Sequence, residues 1–170
     1  DIEFLRAGAT GRFDAGEVRY FATRDRVVGW QLVSPFETTD GETVLVDRGF
    51  VPDEARAEAA PPPSGVVTIN GIVRTHAGGR GAFTPADKPA EGVFYAWSPA
   101  AMGEALHVER PLGFILHAEP SADAPRWPSP ALPDPGSFPN NHLQYAITWF
   151  GLALALAVIM GLQLRRIRRP

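Results

Sequence analysis

Cysteine is absent from the 170 residues. Disulfides, zinc–thiolate sites, iron–sulfur clusters and cysteine nucleophiles are excluded together. The absence fits an oxidising compartment, although many cytosolic domains also lack cysteine. Methionine is scarce too, with only Met102 and Met160, so a thioether copper carrier is not expected. The formal charge of −3 is too small to point to nucleic acid or to a strongly acidic substrate. Catalytic signatures are missing as well. There is no Gly-x-Ser-x-Gly, no phosphate-loop motif and no close carboxylate pair. Ala77-Gly78-Gly79-Arg80-Gly81 is rich in glycine but lacks the Lys-Ser/Thr of a phosphate loop, and reads as a loop tip. No enzyme is expected on this basis.

A further absence organises the chain. From Pro135 to Leu164 there is no Asp, Glu, Lys or Arg. Within it, Leu143 to Leu164 reads LQYAITWFGLALALAVIMGLQL, and at ~1.5 Å rise per residue such a helix spans roughly 33 Å. A transmembrane helix over 142–164 is therefore expected, with the lipid bilayer as its surroundings. The alternative, a buried helix in a soluble fold, is poor, because a chain this short seldom encloses a helix that is apolar all round. Arg165, Arg166, Arg168 and Arg169 follow at once, whereas Pro128 to His142 has no Lys or Arg. The positive-inside bias assigns 165–170 to the cytoplasm or matrix and the rest of the chain to the opposite side.

At 100° per residue, His142, Tyr145, Ala146, Trp149, Ala153, Ala157 and Met160 share one side of this helix, and Leu143, Ile147, Phe150, Leu154 and Val158 another. The second is a lipid face. The first combines an imidazole, aromatics and small residues, as where a helix or a flat ligand packs. Two readings of His142, Tyr145 and Trp149 stand open. They form an interfacial anchor, which is the simpler account, or they form a haem site in which His142 is the iron ligand. The other histidines, His76, His107 and His117, read as surface or strand-face residues, and no two histidines have helical ligand spacing.

The first 119 residues read as mainly β, a small barrel or sandwich in an α+β domain. Strands are expected at Val18–Ala22, Val27–Val33, Thr43–Val46, Val66–Arg74, Val93–Trp97 and Phe114–Ala118. Asp40-Gly41 should turn the second of these into the third. Pro99 after Ser98 marks a short helix to Leu106, and Asp53–Ala60 a turn or two more. Seven prolines between Pro120 and Pro139 exclude regular helix or central strand, so 120–141 is expected to be an extended connector.

Three stretches resemble the surfeit locus protein 1 family, the cytochrome c oxidase assembly factors. They are Gly11-Arg12-Phe13-Asp14 with the strand running into Ser34-Pro35-Phe36, then Asp40 through Asp47-Arg48-Gly49-Phe50-Val51-Pro52, then Pro139-Asn140-Asn141-His142 through Phe150. The family pattern has Asn and Trp where this chain has Asp47 and Phe50. The resemblance implies a first transmembrane helix ahead of Asp1, ending in Trp-Gln, and a β-rich domain in the periplasm or intermembrane space. It implies a non-enzymatic role in the respiratory chain, assisting haem a insertion into cytochrome c oxidase subunit I. Haem A synthase is a second expected partner, and nucleic acid is not one. His142 matches the family's second-helix histidine, with Tyr145 and Trp149 beside it as pocket lining. A scaffold that stabilises an oxidase intermediate without haem is the alternative. The compact loops lean towards a bacterial inner membrane, with the mitochondrial inner membrane as the other possibility. Arg48 reads as a salt bridge inside its hairpin, or more remotely as a propionate partner.

Overall fold

In the computed structural model the described residues are 2–75, 80–131 and 142–167. They fall into two compact units, 1–132 and 133–170.

The first unit contains seven strands: β1 (Arg6–Phe13), β2 (Val18–Arg24), β3 (Val27–Thr38), β4 (Thr43–Pro52), β5 (Val67–Arg74), β6 (Val93–Phe94) and β7 (Ile115–Ala118). Their order is β1-β5-β7-β4-β3-β2-β6, and β1 also pairs with β3. The β1–β3 contact, Gly11↔Thr38 to Phe13↔Phe36, closes a five-stranded barrel from β1, β5, β7, β4 and β3. The twelve-residue β3 serves both the barrel and its extension. Its first half pairs with β2 and its last residues with β1.

Strand β4 is buried on both faces, from Val44 to Val51. Alternation sends Val44 and Val46 into one cluster with Phe36, Val73 and Leu116. Leu45 goes the other way, to Val18, Val33, Phe94, Met102 and Ile115. Met102 comes from helix α1 (Pro99–Ala105), which begins as expected with Ser98 as cap, its hydroxyl accepting from the Ala101 N–H at 3.3 Å.

Two expectations needed correction. β1 is absent from the sequence-based strands because RAGATGRF carries little β propensity. It is a strand because small residues are required at the seam. A Cβ at Gly11 would lie 2.0 Å from the Glu37 carbonyl oxygen. The strand expected at Val93–Trp97 stops after Phe94, because the Asp87 carboxylate takes the Tyr95 and Ala96 N–H groups at 2.6 and 3.0 Å. The turn or two of helix expected at Asp53–Ala60 is present, as a 3-10 helix over Asp53–Glu58.

Residues 120–131 stay with the barrel. Ser129 and Phe50 exchange both backbone hydrogen bonds, at 3.0 and 2.8 Å, and the Ala60 N–H donates to the Trp127 carbonyl. In the second unit the described part is helix α2, His142–Ile167, none of whose residues is buried. It is long and apolar enough to cross a membrane. The expected cap at Asn140 or Asn141 lies outside the described residues, as do His76, Ala77–Gly79 and Arg168–Pro170.

Candidate functional site

The chemistry-bearing side chains form two groups, one in each unit. In α2, His142 opens the first turn, and Tyr145 and Trp149 follow at i+3 and i+7 on the same face. Tyr145 and Trp149 are two-thirds exposed and His142 is exposed. The Thr148 hydroxyl donates back to the Gln144 carbonyl at 2.8 Å, so this polar side chain is satisfied within the helix. A flat ligand laid along this face would meet one imidazole and two aromatic rings. Met160, the thioether of the same face, is eighteen residues along and so about 27 Å up the helix. A metal-bearing ligand held at this end of the face would therefore find one donor there, the His142 imidazole. Among the described residues no three His, Asp or Glu come together as a metal site.

The second group sits in β4 around Asp47-Arg48-Gly49-Phe50. The β3–β4 register slips here, from Val33↔Asp47 to Leu32↔Gly49, so Arg48 is the extra residue of a β-bulge. The bulge re-aims Arg48. Its guanidinium donates to the Ala60 carbonyl at 3.0 Å and to the Glu17 carboxylate. Only 7% of the Arg48 side chain is exposed, against 38% for Glu17. The expected salt bridge therefore exists, but its partner precedes β2 and lies outside the hairpin. Gly49 has φ +125°, and a Cβ there would fall 2.4 Å from the Ser129–Pro130 peptide. Phe50 is buried beneath Arg24, whose guanidinium carbon lies 4.9 Å from the ring centre while the same group donates to the Ser129 carbonyl at 2.8 Å. Phe50 thus supplies the aromatic body without needing an indole N–H.

Asp47 is 2% exposed and accepts the Gly49 N–H at 2.8 Å. Its other oxygen meets His117 Nδ1 at 3.1 Å, across the parallel β4–β7 pairing. Trp97 packs on His117 with ring centres 5.3 Å apart. Burial holds His117 below the usual histidine range, with Asp47 pulling the other way. Burial also pushes Asp47 upward, against the lowering influence of His117, the Gly49 N–H and the nearby arginines. His117 Nε2, Trp97 Nε1 and Arg48 Nε have no protein hydrogen-bond partner. Of the two readings of His117, the strand-face one holds: it lies on β7 and is largely buried, not at the surface. The missed signal is an Asp inside a strand that is apolar on both faces, since a buried carboxylate must find a donor. An apolar cleft of about 610 Å³ lies beside Arg48, lined by Phe13, Pro61, Pro62, Val67, Ile69 and Pro128 among others.

A family model described as the SURF1 family matches residues 1–154. A SURF1-like protein of Monosiga brevicollis is 35% identical over 156 residues, covering 81% of this chain and 52% of that protein. Surfeit locus protein 1 of Xenopus tropicalis is 33% identical over 176 residues, covering 91% of this chain and 56% of the frog protein. The rat protein of the same name is 31% identical over 181 residues, covering 94% and 57%. The chain spans a little over half the length of these relatives. Both groups, around Asp47 and at His142 to Trp149, fall inside the matched region.

Proposed function

Because this chain belongs to the SURF1 family, we propose that it is a membrane-anchored assembly factor for cytochrome c oxidase of the aa3 type. Its work is to hold haem a as cargo and assist its insertion into subunit I, with haem A synthase as a second partner. The supporting observation is the α2 face itself, where one imidazole and two aromatic rings stand in line at one end of an apolar helix. Haem a is apolar and made in the membrane. A carrier must hold it near the membrane surface and release it. A single axial histidine gives a bond strong enough to orient the macrocycle and weak enough to exchange. Tyr145 and Trp149 would bound the pocket, and Ala146 and Ala153 leave room for the ring. The arginines after the helix favour the inner side for the C-terminus. The β-barrel then works on the periplasmic face of a bacterial inner membrane, or on the intermembrane-space face in a mitochondrion.

The test is absorbance of the full chain purified from cells that make haem A. A Soret band with near-stoichiometric haem is expected, and His142→Ala should remove or shift it. An unchanged spectrum and stoichiometry in His142→Ala sinks the ligand assignment.

One observation favours a second reading. Ala146, Ala153 and Ala157 make the same face smooth enough for a protein helix. In that case the chain is a scaffold that stabilises an oxidase intermediate without touching haem. Recovery of subunit I with the tagged full chain from cells unable to make haem A would support it. Loss of all oxidase subunits in mild detergent would count against it.

A further inference from the structure

The barrel's extension carries an exposed aromatic patch that the haem reading does not use. Phe21 of β2 and Trp30 of β3 are cross-strand partners, with ring centres 5.7 Å apart. Tyr95 meets both rings, at 5.8 and 6.1 Å. Val28 continues the same face two residues from Trp30 and is 52% exposed, and Phe21 is 37% exposed. Phe83, wholly exposed, borders a shallow depression shared with Phe21 and Tyr95.

Phe83 is not on a loose loop. The Thr84 N–H donates to the Gly81 carbonyl at 3.0 Å, and the Gly81 N–H donates to the Thr84 hydroxyl at 2.9 Å, which sets Ala82-Phe83 at the apex of a turn. Arg80 ties the turn to the Pro85 carbonyl and to Asp87. Asp87 in turn accepts the Tyr95 N–H. The phenyl ring is thus held out by a hydrogen-bonded frame.

We propose that this patch, Val28, Phe21, Tyr95 and Phe83 with Arg26 of the hairpin tip, docks on the headgroup layer of the membrane that α2 enters. Three observations favour lipid over a protein partner. The composition is that of the bilayer interface, where Trp, Tyr and Phe concentrate and arginine lies among them. Arg26, exposed at the β2–β3 turn beside Val27 and Val28, offers a guanidinium to headgroup phosphates, and Arg19 lies over Trp30 at 5.5 Å, with Asp53, which accepts the Trp30 indole N–H at 2.8 Å, as its counter-charge. Asp25 is the opposing charge at the tip. Finally, only ten residues separate Ala131 from His142, which covalent geometry limits to ~36 Å. A short tether keeps the local concentration of membrane surface high, so a handful of side chains suffices where a free protein partner would need a far larger contact.

The inference rests on the membrane-crossing reading of α2 and not on haem. The lack of cysteine makes the test direct. Single spin labels are placed on the full chain at Val28→Cys, Phe83→Cys, Asp40→Cys and Leu154→Cys. Each is reconstituted in phosphatidylcholine vesicles with and without phosphatidylglycerol, and collisions with oxygen and with a water-soluble nickel chelate are compared. Leu154→Cys reports whether the helix is in lipid. Asp40, exposed at the far end of β3, is the aqueous reference. The oxygen-to-nickel ratio at 28 and 83 should exceed that at 40 severalfold, more so with phosphatidylglycerol, and Arg26→Glu should lower it at 83. If 28 and 83 behave like 40 while 154 is in lipid, the proposal fails by itself. If 28 and 83 are shielded from both reagents, protein covers the patch and the proposal is equally overturned. A water-like label at 154 removes the premise and with it the proposal.

Discussion

The β-barrel and helix α2 use apolar residues for opposite ends. In the barrel, Phe36, Leu45 and Ile115 are wholly buried by other parts of the same chain. In α2, Leu154 and Phe150 are about two-thirds or more exposed, and no residue is buried. A barrel residue is held by its neighbours, so its loss leaves a cavity. A helix residue is suited to solvation by lipid, so its loss changes partitioning. Hydrophobicity alone does not distinguish the two regions, but periodicity does. The barrel strands carry polar residues on a period of two or pair them across the sheet, whereas α2 has no charge for more than twenty residues.

The comparison is broken most severely by Phe36→Ala. Phe36 is wholly buried and packs edge-on against Phe13 at 5.0 Å, so about 3–5 kcal/mol of barrel stability should be lost. Denaturant titration followed by tryptophan fluorescence measures it. Leu154→Arg is the mirror experiment. It should cost roughly 2.5–3.5 kcal/mol of membrane insertion, which carbonate extraction reads. Gly49→Ala should cost about 1–3 kcal/mol, because the bulge needs both the left-handed backbone and the space taken by Ser129.

The Asp47–His117 pair sharpens the contrast through pH, since the pair lies in the barrel and not in the helix. His117 is held below its ordinary 6.5, so the unfolded chain binds more protons there. Its share of stability is present above pH 6.5 and is lost as pH falls from that value through the lowered folded one. Asp47 runs the other way. Its upward push from 3.8 makes the folded chain bind more protons, so its share is present below 3.8 and is lost as pH rises through the raised value. His117→Gln should flatten the loss on acidification below pH 6.5, measured as midpoint against pH. The smallest effect belongs to Arg26→Gly. Asp25 and Arg26 form a two-residue turn with φ of 52° and 68°, and removing one left-handed side chain should add about 1 kcal/mol.

Most strands were legible from the sequence because alternation and the Asp40-Gly41 turn are local signals. Helix α2 was legible because composition decides it. β1 was hidden because its reason for being extended lies in Glu37 and Ile69, residues far along the chain. The arrangement around Asp47 was hidden for the same cause. Asp47 meets His117 seventy positions later through a parallel pairing, and Arg48 is turned by a bulge that no spacing announces. The face of His142, Tyr145 and Trp149 needed only helical geometry, so it could be drawn beforehand.

The hydrogen bonds between Ser129 and Phe50 bear on where the chain can be cut. Proline density marks 120–131 as a dispensable linker, yet this strip lids Gly49, anchors Arg24 and forms one wall of the cleft beside Arg48. A soluble fragment ended at Glu119 would lose that lid and uncover the Phe50 ring, while one ended after Ala131 keeps the strap fastened.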